Sequence, residues 1–144
     1  MITWDIIPKP TSQQIFQGQH TISNKTVIVP DSNPQTVQVA RYLQTTLIHD
    51  FNLNLKFSNN LQEPDAIKFK IIKSEITEES YQLEISDNGI IISAIAAPGL
   101  FYGVQTLRQL METSFKLQYM KIFDTPRFKW RGMNFDCCRH FFDK

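Results

Sequence analysis

The side chains best suited to chemistry are gathered near the end of the chain, in residues 126–142. This stretch holds three arginines, one aspartate, one histidine and five aromatic rings. Its pattern predicts a short strand from Phe128 to Asp136, in which Gly132 allows close backbone approach. Arg131 lies among the apolar positions of that strand. Because a buried guanidinium is costly unless it is paired or binds a ligand, Arg131 is the first candidate for a binding role.

Two interpretations of Arg131 are open from the residues alone. It could be a structural arginine, satisfied by backbone carbonyls or by a carboxylate such as Asp124 or Asp136. It could instead clamp a hydroxylated ligand, because a guanidinium presents five donors in a fixed fork. At the end of the predicted strand, Asp136, Arg139 and His140 are expected to give structural support. An Asp–Arg pair at i and i+3 can orient itself, and a histidine beside aromatic rings is more often packed than ligating.

Composition excludes several classes of function. The 144 residues carry a net charge of +1 with no basic run, so nucleic acid and anionic membranes are not expected as partners. No apolar stretch approaches the roughly 20 residues that a membrane span needs. The first residues show neither a basic leader nor an apolar signal core, so the compartment stays open, with export favoured if a leader has been removed.

No metal or cofactor is expected from the cysteines and histidines. Cys137 and Cys138 are adjacent, which disfavours a disulfide between them and favours a reduced, packed pair. His20 and His49 are far from each other and from the cysteines in sequence, so they do not form a zinc-ligand pattern. The His-Glu-x-x-His motif of zinc peptidases is absent from the chain.

The elements that must position these residues are two helices and several short strands. A capping box of Ser32 and Gln35 predicts the start of the first helix, and an apolar stripe predicts the second from about Ala97. Residues 17–19 and the pair Asn88–Gly89 predict hairpin turns. With only two helices among many strands, we expect an α+β fold: a mostly antiparallel sheet packed on two helices that share one face.

Two motifs in this framework resemble a known family. Residues 126–142 follow the pattern Pro-Arg-Phe-x-Trp-Arg-Gly-x-x-x-Asp-x-x-Arg-His-Phe-Phe. This pattern looks like the entry into the catalytic barrel of the β-N-acetylhexosaminidases, glycoside hydrolase family 20. Residues 99–110 read Gly-Leu-x-x-Gly-x-Gln-Thr-Leu-x-Gln-Leu, which is similar to a signature of that family's N-terminal accessory domain.

The resemblance implies a division of the chain into two parts and a role for Arg131. Residues 1–124 would be a non-catalytic, zincin-like accessory domain, and residues 125–144 would begin a truncated (β/α)8 barrel. Arg131 would bind hydroxyls of the terminal sugar. Asp136, Arg139 and His140 remain in the supporting role expected above.

The implied parent is an exo-acting, retaining β-N-acetylhexosaminidase that hydrolyses glycans ending in N-acetylglucosamine or N-acetylgalactosamine. In that family the 2-acetamido group of the substrate acts as the nucleophile, and an Asp-Glu pair assists it from a later barrel strand. No Asp-Glu dipeptide occurs in this chain, so no catalytic residue is assigned and the fragment is expected to be inactive. Its implied partners are the N-acetylhexosamine-terminated glycan of the parent and the parent's own catalytic barrel. The alternative is a non-catalytic module that binds carbohydrate or a partner chain.

Overall fold

The computed structural model describes residues 4–134. The predicted supporting residues Asp136, Arg139 and His140, and the pair Cys137–Cys138, lie outside the described residues. In chain order the elements are β1 (Ser12–Thr21), β2 (Val27–Val29), α1 (Pro34–Phe51), β3 (Lys56–Phe57), β4 (Ala66–Ile71), β5 (Tyr81–Ser86), β6 (Gly89–Ala94), α2 (Ala97–Thr113) and β7 (Lys116–Asp124).

The seven strands form one sheet in the order β1-β7-β5-β6-β4-β2-β3. The prediction of an α+β fold is confirmed, but the sheet is mixed rather than mostly antiparallel. In the described part of the chain, β3, β2, β4 and β6 run parallel to one another, and β6, β5, β7 and β1 alternate in direction. Three connections produce the parallel half: α1 joins β2 to β3, the loop at residues 58–65 joins β3 to β4, and β5 lies between β4 and β6 in the chain but beyond β6 in the sheet.

Both helices pack on one face of the sheet and against each other. Their contact face and the facing strand positions form the hydrophobic core. Burying a large aliphatic side chain of this kind contributes roughly 1.5–3 kcal/mol, so this layer dominates the stability of the domain. The largest fully buried side chains include Leu43, Leu47, Ile67, Phe69, Leu83, Ile85, Ile90, Ile92, Leu100 and Leu107. Neither helix is long and apolar enough to cross a membrane in residues 4–134.

The hairpin predicted around residues 17–19 is wrong. These residues lie within the single strand β1, whose register with β7 shifts between Ile15 and Gln19. Gly18 has φ +112°, and a Cβ added there would lie 2.2 Å from Cε2 of Tyr119. A glycine with positive φ inside a strand is typical of a bulge, and here it also lets the Tyr119 ring cover the backbone.

The predicted helix starts and the second hairpin are confirmed, with one change of cap. α1 begins at Pro34, but its N-cap is Asn33 rather than Ser32, since the Asn33 Oδ1 accepts from the backbone N–H of Gln35 at 2.9 Å. The turn that joins β5 to β6 consists of Asp87 and Asn88, and Gly89, the first residue of β6, pairs with Ser86 and has φ +92°.

The strand predicted from Phe128 is not formed in the described part of that segment. Residues 125–134 contain no regular secondary structure. A strand requires a neighbour for its backbone hydrogen bonds, and β7, which leads into this segment, already has β1 on one side and β5 on the other. We call residues 125–134 the exit segment.

Candidate functional site

A groove of about 770 Å³ lies where the exit segment meets α2. One wall is the extended connector at residues 6–11, and the floor is the outward face of α2 around Tyr102 and Gln109. The start of the exit segment, together with Arg131, forms the other wall. The predicted binding residue therefore lines a concave surface shared by three parts of the chain.

Close packing at the start of α2 fixes one side of this groove. The N–H of Gly99 donates to the carbonyl of Glu78 at 3.0 Å, and a Cβ at Gly99 would lie 2.2 Å from the carbonyl oxygen of Ser80. Only a glycine allows the helix to approach the loop this closely. Residues 78–80 are thereby held against the first turn of α2, which places the Glu79 side chain beside Tyr102, one turn further along.

The other residues of the α2 signature have structural roles as well. A Cβ at Gly103 would lie 2.5 Å from Cγ2 of Ile92, as expected for a glycine that packs onto the sheet. The hydroxyl of Thr106 is hydrogen-bonded to the buried hydroxyl of Tyr81. Burial raises the pKa of Tyr81 to about 12, so this phenol stays neutral and acts as a packing and hydrogen-bonding group.

The side-chain amide of Gln109 pairs with both backbone polar groups of Ile7 in the connector. Its Oε1 accepts from the N–H of Ile7 at 2.9 Å, and its Nε2 donates to the carbonyl of the same residue at 2.8 Å. A few residues later, the N–H and the hydroxyl of Thr11 both donate to Oδ1 of Asp124 at 3.0 Å. These contacts fasten the connector to α2 and to the end of β7.

Arg131 is bound by two side chains from outside the exit segment, Glu79 and Tyr102. Its guanidinium donates to both oxygens of Glu79, at 3.3 Å to Oε2 and through Nη2 to Oε1. Nη2 also donates to the hydroxyl of Tyr102 at 3.2 Å, Nη1 donates to the carbonyl of Phe128, and Cζ lies 5.9 Å from the centre of the Tyr102 ring. The Tyr102 hydroxyl in turn donates to Oε1 of Glu79 at 3.1 Å, so the three side chains form one network.

The charges in this network stabilise each other. Hydrogen bonding to Arg131 holds the pKa of the Glu79 carboxyl below its usual range, and the same bonds raise the pKa of the Arg131 guanidinium. The side chains of Arg131 and Glu79 are 39% and 33% exposed, so solvent screens their attraction. The pair therefore orients the exit segment more than it stabilises the fold.

A second polar network ties the two helices together beside the groove. Nη2 of Arg108 donates to Asp50 at 2.6 Å, and Nη1 donates to Oε1 of Gln105 at 2.8 Å. Nε2 of Gln105 donates to the hydroxyl of Tyr42 at 3.2 Å. Hydrogen bonds from His49 and then Arg108 hold the pKa of Asp50 below its usual range.

Aromatic side chains remain exposed next to both networks. The rings of Tyr42 and Phe101 are 5.1 Å apart, and that of Phe101 lies 5.9 Å from Tyr102. In the exit segment, Phe128 and Trp130 are 67% and 92% exposed. Exposed aromatic rings are therefore present both on the helices and in the exit segment.

The acidic side chains that line the groove within residues 4–134 are already hydrogen-bonded. Its two acidic lining residues are both engaged, Glu79 by Arg131 and Asp124 by Thr11. In residues 4–134 no group of three or more His, Cys, Asp and Glu residues could hold a metal ion. Among the described residues, the groove binds a guanidinium and the connector, and neither of these two carboxylates is a free acid beside a nucleophile.

Sequence reasoning found Arg131 but missed Glu79, Tyr102 and Gln109 as its surroundings. Glu79 lies in a polar stretch between two strands, and no local pattern separates it from its neighbour Glu78. Tyr102 occupies a variable position of the α2 signature, which gives no signal of its own. The fixed glutamine at position 109 was the one usable clue, because a polar residue on an apolar stripe needs a partner.

Comparisons with known proteins identify the family. The chain is 27% identical to a β-N-acetylhexosaminidase of Cellulomonas fimi over 146 residues, covering 95% of this chain and 29% of that protein. It is 33% identical to β-hexosaminidase subunit A1 of Dictyostelium discoideum, covering 97% of this chain and 28% of that one. The chain thus spans less than a third of the length of these two relatives.

A solved structure with the same fold is the exo β-N-acetylglucosaminidase of Vibrio harveyi in complex with N-acetylglucosamine. The TM-score is 0.79 at 27% identity, over 94% of this chain and 21% of that one. A family model described as "Glycosyl hydrolase family 20, domain 2" matches residues 3–125. The resemblance to this family is thereby confirmed, and the chain belongs to glycosyl hydrolase family 20, with residues 3–125 corresponding to its domain 2.

Proposed function

We propose that this chain is the accessory part of a longer, exo-acting, retaining β-N-acetylhexosaminidase and that it has no glycosidase activity by itself. The observation that carries the proposal is the family match over residues 3–125, in a chain that spans less than a third of its relatives. The engaged carboxylates of the groove agree with it. The substrate of the longer enzyme is a glycan that ends in an N-acetylhexosamine.

Residues 1–124 form the accessory unit in this proposal, and residues 125–144 lead into a catalytic (β/α)8 barrel. The exposed aromatic side chains of the exit segment support that division, because they have little contact with the accessory unit. The accessory unit is of the zincin-like type, without the metal-binding motif of that class. The Asp-Glu pair needed for catalysis belongs to a later barrel strand.

The partner of this domain is its own catalytic barrel, which rests on the helix side. The exposed rings of Tyr42 and Phe101 lie on that side, and the contact between Arg131 and Tyr102 brings the exit segment over the same surface. A following domain that starts from the exit segment can therefore cover these rings without a long linker.

Arg131 binds hydroxyl groups of the terminal sugar once the barrel has formed. Its planar fork suits two neighbouring hydroxyls. Asp136, Arg139 and His140 support the barrel entry and do not touch the substrate.

An aryl N-acetyl-β-glucosaminide assay tests the proposal. The 144-residue chain and the longer protein encoded by the continued reading frame are purified and assayed at equal concentration. We expect release of the aryl alcohol by the longer protein only, with a raised KM for its Arg131→Ala variant. Measurable turnover by the 144-residue chain would contradict the assignment of catalysis to the following domain.

A further inference from the structure

The hydrogen bonds of Arg131 leave its guanidinium little capacity for another ligand. A guanidinium has five N–H donors, two on each Nη and one on Nε. Here Nη1 donates to Phe128 and Glu79, and Nη2 donates to Glu79 and Tyr102. All four Nη donors are used, and these are the donors of the fork that binds paired oxygens.

The binding site for this guanidinium is built by the accessory unit. Glu79 supplies two carboxylate oxygens, and Tyr102 supplies a hydroxyl oxygen and a ring face. The close contact between Gly99 and the 78–80 loop places the two residues side by side, and the Tyr102 hydroxyl donates to Glu79. A carboxylate, a phenol and an aromatic face are the groups that recognise arginine. A lysine ammonium lacks the planar fork of donors and would fit these acceptors poorly.

We propose that Glu79 and Tyr102 form a guanidinium-binding site that holds Arg131 on the accessory domain, and that Arg131 leaves this site when it binds sugar. This inference rests on the substrate role proposed above for Arg131. One guanidinium cannot offer its Nη donors to Glu79 and to two sugar hydroxyls at once. Occupation of the two sites is therefore exclusive, and binding of the sugar draws Arg131 away from Glu79.

The alternative is that Glu79 positions Arg131 for the substrate. In that case both contacts persist together, and loss of Glu79 weakens sugar binding. Exclusive sites predict the opposite, because Glu79 then competes with the substrate for the same donors. The two possibilities differ in a measurable way.

The first experiment uses the 144-residue chain and backbone ¹⁵N order parameters for residues 129–133. We expect Glu79→Gln to lower them from about 0.8 to below about 0.6, the range of flexible segments. Glu78→Gln is the matched control, since Glu78 is the exposed neighbour and takes part in the fold through its backbone carbonyl. Tyr102→Phe, which keeps the ring, should give an intermediate value. Equal order parameters for Glu79→Gln and Glu78→Gln would overturn the holding site.

Arg131→Lys provides a second variant that keeps the charge and leaves the accessory unit untouched. It should release the segment as Glu79→Gln does, because an ammonium cannot engage both oxygens and the phenol in the same geometry. Retained order in Arg131→Lys would show that charge alone holds the segment and would overturn a guanidinium-specific site.

The second experiment uses the longer enzyme and KM for an aryl N-acetyl-β-glucosaminide. Arg131→Ala should raise KM, and Glu79→Gln should lower it, because Glu79 then no longer competes with the sugar for the Nη donors. A rise in Glu79→Gln that equals the rise in Arg131→Ala would overturn exclusivity in favour of positioning. An unchanged KM in Arg131→Ala would remove the substrate role and the exclusivity with it, whereas the order parameters would still report on the holding site.

Discussion

The inner face of α2 and the exit segment are both rich in apolar residues, yet they differ in what surrounds those residues. On α2, Leu100, Val104 and Leu107 are fully buried against the sheet. In the exit segment, Phe128, Trp130 and Met133 are 67%, 92% and 83% exposed. The difference teaches that apolar character alone does not tell where the matching surface lies: among residues 4–134, α2 packs on the sheet, whereas these three side chains of the exit segment remain exposed.

The largest expected change in the free energy of unfolding comes from a substitution on the inner face of α2. Leu107→Ala removes a fully buried side chain and leaves a cavity, so we expect the free energy of unfolding to fall by roughly 2–5 kcal/mol. Met133→Ala is the matched control and should change it by less than about 0.5 kcal/mol, because Met133 is exposed. Urea denaturation of the two variants measures the difference. Similar losses would mean that Met133 packs against the domain in solution.

The second prediction compares the stability effects of substituting two glycines, one in α2 and one in the exit segment. Gly103→Ala places a Cβ 2.5 Å from Cγ2 of Ile92, and overpacking of this kind costs roughly 1–3 kcal/mol. The better helix propensity of alanine offsets about 1 kcal/mol of that cost, so a net loss of stability is expected.

Gly132→Ala is the counterpart in the exit segment. A Cβ there would have no heavy atom within 4 Å among the described residues outside its immediate chain neighbours, so stability should change by less than about 0.5 kcal/mol. Thermal denaturation of both variants measures the contrast. A stabilised Gly103→Ala would show that the helix can shift on the sheet, against the close packing seen here.

The third effect concerns the connector. Gln109→Met keeps the length of the side chain but removes both hydrogen bonds to Ile7, and we expect a loss of about 1 kcal/mol. Hydrogen exchange of the Ile7 amide should become faster as well. Gln105→Met serves as the control, since Gln105 binds Tyr42 and Arg108 and not the connector. Equal protection of Ile7 in the two variants would contradict the role given to Gln109.

The sequence predicted most of the α2 side because its signals are local. The spacing of apolar residues predicted the helix, and the Asn88–Gly89 pair predicted the hairpin beside it. The bulge at Gly18 was misinterpreted as a turn, because a glycine between β-rich runs gives the same local signal in both cases. The parallel half of the sheet could not be predicted from local patterns, since it depends on where β5 lies relative to β6.

The surroundings of Arg131 were outside the reach of sequence reasoning for a similar reason. Glu79 and Arg131 are separated by 52 positions, and only the contact of Gly99 with the 78–80 loop brings the carboxylate to α2. The glycine itself was visible in the α2 signature. What it approaches became known only from the fold.

The smallest expected effect on stability is that of lowering the pH. It should distinguish the exit segment from α2 without any mutation. Because the pKa of Glu79 is lowered from 4.5 by Arg131, the unfolded or released state binds the proton more readily than the held state. The hold on the exit segment is therefore complete above pH 4.5 and is lost as the pH falls through the lowered pKa of Glu79. Order parameters of residues 129–133 should decrease over that range, while those of α2 stay constant. The effect on the free energy of unfolding should be slight because the pair is exposed, and a pH-independent exit segment would mean that contacts other than the Glu79 carboxylate hold it in place.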